Sequence, residues 1–407
     1  MRDHRVSYLY IEWGKTPSML ADVNVALGVS GSIAAVRCVE LAHELRRRGA
    51  AVRAITTPSA EKIIHPWSLE YATEHSVTTA ITGAIEHVEL CGEDGWADVL
   101  LIAPATANTI GKIAAAIDDT PVTTCATTAI GADIPVVIAP AMHEPMWKHP
   151  GVLSAIEQLE AWNLTFVPPH VEEGKAKLAT NDAIATAVAR GTAEPVLAGE
   201  RIIVTSGPTS ESIDPVRVMT NRSSGRMGRA IATACAIRGA DVTLIHDGEN
   251  LPFTDAISVT TAHEMREAAL DAADGATALI SAAAIGDFEI EPASSKLDST
   301  MAHDLHLEPA PKLLDGVREI HPEVPIIGFK AEDGGSDEAL IEAAREQRER
   351  LDALFVVAND VGVMGSTDAR VLIVDQDDHE PVTGSKDRVA NRIVDRLIDA
   401  LGHERTK

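Results

Sequence analysis

The chain has 407 residues, 45% hydrophobic and only 3% aromatic, enough apolar material for the cores of two or three domains. No apolar run approaches the ~18 residues of a membrane-spanning helix, which argues against a membrane partner. The net charge of −26, from 61 acidic and 35 basic residues, repels polyanions and argues against nucleic acid.

Residues 1–22 read as an amino-terminal extension. Its apolar segment Tyr8 to Ile11 is cut by Glu12 and lacks the ~7-residue core of a signal peptide. A cytoplasmic location is therefore expected, and Met19, just before the first strand, is an alternative start. The spacing then predicts strand Val23 to Val29, the turn Ser30-Gly31-Ser32, and a helix ending at Arg48 before Gly49. Strands Ala51 to Thr56, Ala97 to Ala103, Val136 to Ala139 and Thr165 to Val167 follow, with helices Thr106 to Ile117, Gly151 to Leu159 and Asn181 to Arg190. Such alternation predicts a doubly wound parallel sheet over residues 23–190, with ligands at the carboxyl ends of its strands. The Pro- and Gly-containing stretch 191–200 reads as a linker.

From Arg201 the pattern repeats: strand Arg201 to Thr205, helix Gly225 to Arg238, strand Val242 to His246, helix Ala262 to Ala273, and strands Ala276 to Ala282 and Pro325 to Phe329. Residues 201–407 are thus expected to form a second, Rossmann-like, doubly wound domain. It has no G-x-G-x-x-G after its first strand, so a nicotinamide dehydrogenase is not indicated. The four cysteines, Cys38, Cys91, Cys125 and Cys235, have no metal-ligand or disulfide spacing and read as buried filler.

Two turns suggest anion binding. Ser30-Gly31-Ser32 offers hydroxyls and helix-opening amides without a lysine, a pattern of flavin mononucleotide rather than of a nucleoside triphosphate. Asn221-Arg222-Ser223-Ser224-Gly225-Arg226-Met227-Gly228 opens a helix with two capping serines and two glycines, either an anion site or a polar capped loop. His87, Met142 and Trp147, read singly, are as consistent with structural roles as with chemistry.

The longer motifs are more specific. T-S-G-P-T, S-I-D-P-V-R and T-N-R-S-S-G-R-M-G, between Thr205 and Gly228, resemble phosphopantothenate–cysteine ligases. G-V-S-G-S-I-A-A from Gly28, H-V-E-L from His87, P-A-T-A-N-T from Pro104 and P-A-M-H-E-P-M-W from Pro140 resemble flavin-containing phosphopantothenoylcysteine decarboxylases. The resemblance implies a bifunctional enzyme of coenzyme A biosynthesis that joins 4′-phosphopantothenate to L-cysteine with CTP and Mg²⁺, through an acyl-cytidylate, then decarboxylates the product to 4′-phosphopantetheine with FMN. It implies FMN contacts at Ser30, Gly31, Ser32, Thr57, Thr106 and Ala107, a base at His87, and substrate contacts at Asn108 and Met142. His143 replaces the family's commoner Asn, and no cysteine occupies the substrate clamp between Pro168 and Thr180, where Lys175 and Lys177 are the candidates for the substrate phosphate. For the ligase it implies Asn221 acting on the acyl-cytidylate, Lys296 neutralising charge, and CTP contacts at Ser223, Gly225, Asp287, Lys296, Ala310, Pro311, Lys312, Leu313, Phe329 and Arg345. It also implies a homo-oligomer of decarboxylase trimers joined by ligase dimers. A flavodoxin-type electron carrier or a flavin prenyltransferase-like protein would share the first half and leave residues 201–407 unexplained.

Overall fold

The computed structural model describes residues 19–172, 175–332, 336–360 and 368–402; the extension up to Ser18 and the clamp residues Glu173 and Gly174 lie outside them. The first half runs β1 (Asn24–Val29), a 3₁₀ turn (Ile33–Arg37), α1 (Cys38–Arg47), β2 (Ala51–Thr56), α2 (Pro66–Thr73), α3 (Glu86–Cys91) and β3 (Val99–Ala105). It continues through α4 (Ala107–Ala114), α5 (Pro121–Gly131), β4 (Val136–Pro140), β5 (Met142–His143), α6 (Glu144–Trp147), α7 (Pro150–Glu160), β6 (Thr165–Phe166), β7 (His170–Glu172), β8 (Lys175–Lys177) and α8 (Asn181–Thr192). Five strands pair in parallel in the order β2-β1-β3-β4-β6. All seven residues of β3 are buried, as a central strand covered by helices on both faces demands. At ~1.5–3 kcal/mol per large aliphatic side chain, Leu100, Leu101 and Ile102 make β3 a main contributor to this sheet.

The second half runs β9 (Arg201–Ser206), β10 (Ser210–Ser212), β11 (Val218–Thr220), α9 (Arg226–Ile237), β12 (Asp241–His246), β13 (Asp255–Ser258), α10 (Ala262–Ala273), β14 (Ala278–Ser281), β15 (Phe288–Glu289) and β16 (Glu308–Pro309). Then come α11 (Leu313–Ile320), β17 (Ile326–Glu332), α12 (Asp337–Leu351), β18 (Phe355–Asp360), β19 (Asp368–Val374), β20 (His379–Ser385) and α13 (Lys386–Ala400). The eight-stranded sheet has the order β13-β12-β9-β14-β17-β18-β19-β20 and is parallel as far as β18. The expected doubly wound parallel core is present, and β19 and β20 extend its edge as antiparallel strands. Between β19 and β20, Asp375 Oδ1 accepts the N–H groups of Asp377 and Asp378, closing a turn too short for a parallel crossover, so β20 returns antiparallel to β19.

The halves are packed together. Of the stretch expected as linker, Gly191 and Thr192 continue α8, and Leu197 is buried in the second core with its N–H bonded to the Arg238 carbonyl (2.8 Å). Arg190 donates to the Ala236 carbonyl and lies over the Phe253 ring at 5.6 Å.

Candidate active sites

In the first sheet the strand order reverses between β1 and β3, and ligands of such sheets lie outside the carboxyl ends at that point. Ser30 ties the two ends together. Its buried hydroxyl donates to the Pro104 carbonyl (2.7 Å) and accepts the Thr106 N–H (3.0 Å). Ser32 caps the 3₁₀ turn and donates to the Ala141 carbonyl (3.2 Å), adding the end of β4 to the rim. Buried Thr57, after β2, bonds through its N–H to the Val29 carbonyl (3.1 Å). A Cβ at position 31 would stand 2.5 Å from Ser59 Cβ, so this turn requires glycine. Thr106 caps α4, with Ala107 and exposed Asn108 opening it. The fold therefore gathers Ser30, Gly31, Ser32, Thr57, Thr106, Ala107 and Asn108 at neighbouring strand ends.

The clamp candidates meet in a separate three-stranded antiparallel sheet, ordered β5-β8-β7, with Met142 opposite Ala176 and His143 opposite Lys175. Lys177 is half-buried and pairs in register with His170. His87 stands elsewhere, in the first turn of α3, whose main packing partner is α5. Its Nδ1 is buried and has no hydrogen-bond partner.

All four cysteines are buried and free. A hydrogen bond with Cys91, followed by burial, pushes the Cys125 thiol upward, and burial pushes Cys38 and Cys235 up to about 12. Cys91 therefore faces the interior. Cys91→Ala is expected to keep CO₂ release within a few-fold of the parent, and a loss beyond 100-fold, roughly the lower end of a general acid's contribution, would make Cys91 the proton donor.

In the second sheet the order reverses between β9 and β14, and a cavity of about 610 Å³ opens there. Its walls are residues 221–227, Ala282 to Ile285, Asp287, Phe329, Ala331, Asn359, Ala369 to Val371 and Lys386. Asn221 Nδ2 donates to the carbonyls of Ala284 and Ile285, each at 3.1 Å, and Ser223 Oγ accepts the Gly225 N–H (3.3 Å). Gly225 has φ +65°, and a Cβ on it would lie 2.9 Å from Gly207 Cα. The turn is thus pressed directly onto the end of β9. Asp287 is ion-paired with Lys312 and its carbonyl accepts the Ala310 N–H (2.9 Å), which brings Ala310, Pro311, Lys312 and Leu313 beside the cavity.

Lys296 and Arg345 are not brought in. Lys296 is exposed on an arm between β15 and β16, and Arg345 is exposed on α12. The arm is anchored one residue away by Asp214, which accepts the N–H groups of Val216 (2.7 Å), Arg217 (2.8 Å) and Leu297 (3.1 Å) and pairs with the Arg217 guanidinium. Desolvation alone would raise the Asp214 carboxyl, but those three backbone bonds and Arg217 outweigh it and hold the group well below the ordinary range. A carboxyl depressed in the folded state stabilises above its unfolded value of about 4 and loses that contribution as pH falls below it. Asp214→Asn should therefore lower the melting temperature at pH 7 and flatten the acid limb of a melting-temperature-against-pH curve, with faster amide exchange at Leu297. An unchanged acid limb would refute the anchor.

Sequence reasoning missed Ala282 to Ile285, Arg370 and Lys386. The first follow an apolar strand without any marked residue. The other two lie on the edge hairpin and α13, which reach the cavity only through the antiparallel extension.

The chain thus has two main α/β sheets, each with a cluster of candidate residues at its switch point. The chain matches the "Flavoprotein" family over residues 14–192 and the "DNA/pantothenate metabolism flavoprotein C-terminal domain" family over residues 197–401. It is 45% identical over 405 residues to the coenzyme A biosynthesis bifunctional protein CoaBC of Thermococcus kodakarensis, covering 98% of this chain and 100% of that one. The proteins of the same description from Methanocaldococcus jannaschii and Escherichia coli are 36% and 34% identical, over 94% and 84% of this chain and 95% and 87% of theirs. The chain belongs to this CoaBC family. It is a bifunctional enzyme of coenzyme A biosynthesis, a phosphopantothenoylcysteine decarboxylase joined to a phosphopantothenate–cysteine ligase. Among the described residues no helix is long and apolar enough to cross a membrane.

Proposed function

We propose that residues 23–190 are the decarboxylase and 201–407 the ligase, joined through 191–200 in a cytoplasmic protein, each acting at its own switch point. The observation that carries this reading is the tying of Ser30 to Thr106 in one sheet and of Asn221 to Ala284 and Ile285 in the other. In the first, hydroxyls and amides with no lysine among them suit the monophosphate of FMN, and Gly31, packed against Ser59, keeps the cradle shallow. Ser30, Gly31, Ser32, Thr57, Thr106 and Ala107 would hold FMN. Bound there, FMN supplies reversible uptake of an electron pair, which lets the substrate carboxylate leave without net oxidation. His87 takes the thiol proton, Asn108 binds the carboxylate, Met142 contacts the substrate, His143 donates it a hydrogen bond, and Lys175 and Lys177 meet its phosphate.

In the ligase the 4′-phosphopantothenate carboxylate attacks the α-phosphorus of CTP and pyrophosphate leaves; the amine of cysteine then displaces CMP from the acyl-cytidylate. Ser223, Gly225, Asp287, Ala310 to Leu313 and Phe329 form the CTP wall, while Asn221 shapes the turn on which the acyl-cytidylate lies. Mg²⁺ would be held chiefly by phosphate oxygens, with several waters retained, since among the described residues no three His, Cys, Asp or Glu side chains converge. Lys296 on its arm, and Arg345, would reach the triphosphate only after closure or from a second copy. Exposed Ile33, Val36, Trp67 and Tyr71 in the first half, and Val216 and Met301 in the second, are apolar surface of the kind that decarboxylase trimers and ligase dimers would cover.

The test is to incubate the full chain with 4′-phosphopantothenate, cysteine, CTP, Mg²⁺ and FMN and to follow pyrophosphate and CO₂. Both products are expected. Equal turnover with ATP would overturn the choice of CTP, and CO₂ release without FMN would overturn the cofactor.

A further inference from the structure

The ligase cavity and a second cleft share one wall. That cleft, about 630 Å³, lies between the halves, with Arg47, Arg48, Asp182 and Thr186 on one side and Arg229, Thr233 and Leu251 on the other; Arg226 and Lys386 line both spaces. In this acidic chain arginines are commonly matched with carboxylates, as Arg48 is with Glu44 and Asp182, and Arg370, on the same cavity wall, with Asp337 (2.6 Å). Among the described residues Arg226 and Lys386 enter no ion pair. They are instead close enough to oppose each other: burial first, and then the Arg226 charge, pull the Lys386 ammonium below its usual range. Two like charges held together beside a cavity destabilise the empty protein and are relieved by an anion. Their placement is fixed rather than accidental. Gly225, with its positive φ, and Gly228, whose Cβ would lie 2.7 Å from Ser206 Cβ, seat the start of α9 on β9. Ser385 accepts the Arg388 N–H (3.3 Å) and sets the start of α13 against it.

We infer that Lys386, with Arg226, binds a phosphate group of the ligase substrates, from the wall shared with the cleft between the halves. The inference rests on the ligase reading given above. The phosphate is that of 4′-phosphopantothenate or one of the triphosphate; both are the same chemistry, a dianionic or polyanionic oxygen cluster that a lysine meets as a point charge and an arginine as a fork. Arg222 also lines this wall, as does Arg370 with its Asp337 partner, so the positive charge lies near Asn221, where the carboxylate must be activated.

The experiment uses the full chain and its Lys386→Gln, Lys386→Arg and Arg226→Gln variants. Binding of CTP alone and of 4′-phosphopantothenate alone is measured by calorimetry with Mg²⁺, together with the KM of each in ligation. Lys386→Gln and Arg226→Gln should each raise Kd and KM for one of the two by about 10- to 100-fold, the size expected for a charged phosphate contact, and leave the other ligand within about 3-fold. The ligand affected identifies the phosphate. Lys386→Arg should stay within about 5-fold of the parent, because charge is kept. Decarboxylation of supplied phosphopantothenoylcysteine reports folding; should Lys386→Gln lose that as well, exposed Arg226→Gln decides alone. If the parent binds both ligands and the two Gln variants bind them equally well, the inference is wrong. If the parent itself binds neither and forms no ligation product, the ligase reading fails instead.

Discussion

His87→Asn should give a folded protein that still binds FMN, ligates 4′-phosphopantothenate to cysteine, and accumulates phosphopantothenoylcysteine while CO₂ release falls by about 10²–10⁴-fold. The size follows from the proton it must move. General-base transfer succeeds only if the nitrogen is held against the thiol as the carboxylate leaves, and contributes about 10²–10⁴-fold. In this fold His87 Nδ1 is buried without a partner, so no protein donor competes for it. Asn keeps the approximate shape and a hydrogen-bonding amide but accepts no proton, which separates positioning from base chemistry. The measurement is ¹⁴CO₂ release from carboxyl-labelled substrate, with FMN absorbance confirming occupancy. CO₂ release within 3-fold of the parent would remove His87 from the mechanism.

The strands and both turns were legible because the physics is local. Runs such as Val25 to Val29 and Ile202 to Val204 are apolar enough to be buried strands, and the Ser- and Gly-bearing turns after them, Ser30-Gly31-Ser32 and Ser206-Gly207, mark their carboxyl ends. Helix α5 was not legible: Pro-Val-Thr-Thr-Cys-Ala-Thr-Thr is rich in β-branched residues of low helix propensity. Its helix is secured by Pro121 in the first turn, by the reciprocal cap between Thr120 and Thr123, and by burial of Val122, Cys125 and Ala126. The edge strand around Val371 to Val374 is apolar like the parallel strands, so composition does not give its antiparallel direction; the short turn after it sets only that of β20. The sites divide in the same way. Residues adjacent to strand ends, Ser30, Thr106, Asn221 and Asp287, lie where sequence order puts them. Lys386 and Arg226 are 160 positions apart, and no periodicity links them; α13 must fold back along α9 before the two charges meet. Lys296 and Arg345 rest on family resemblance, and the single chain leaves both outside the cavity.

For the ligase, Asn221→Asp should reduce formation of phosphopantothenoylcysteine by at least about 100-fold and leave decarboxylation of the supplied intermediate within 2-fold. Asn221 spends both amide protons on the carbonyls of Ala284 and Ile285, at 3.1 Å each, and so binds the anion-facing turn to the loop after β14. Asp has the same shape with oxygens in place of the amide nitrogen. Two carbonyl oxygens then face a carboxylate, two hydrogen bonds worth about 0.5–1.5 kcal/mol each are lost, and a negative charge enters the cavity where anionic substrates are proposed to bind. Asn221→Ala isolates the first effect: the bonds go but no charge arrives, so a smaller loss, about 10-fold, is expected. The order parent, Ala, Asp is therefore the diagnostic, read as pyrophosphate release with CTP. Because α8 and α9 are packed together, loss of decarboxylation in the Asp variant would mean that the disturbance crosses between the halves. Equal activity of the Ala and Asp variants would mean that the carbonyl contacts, and not the charge of the substrate pocket, determine what Asn221 does.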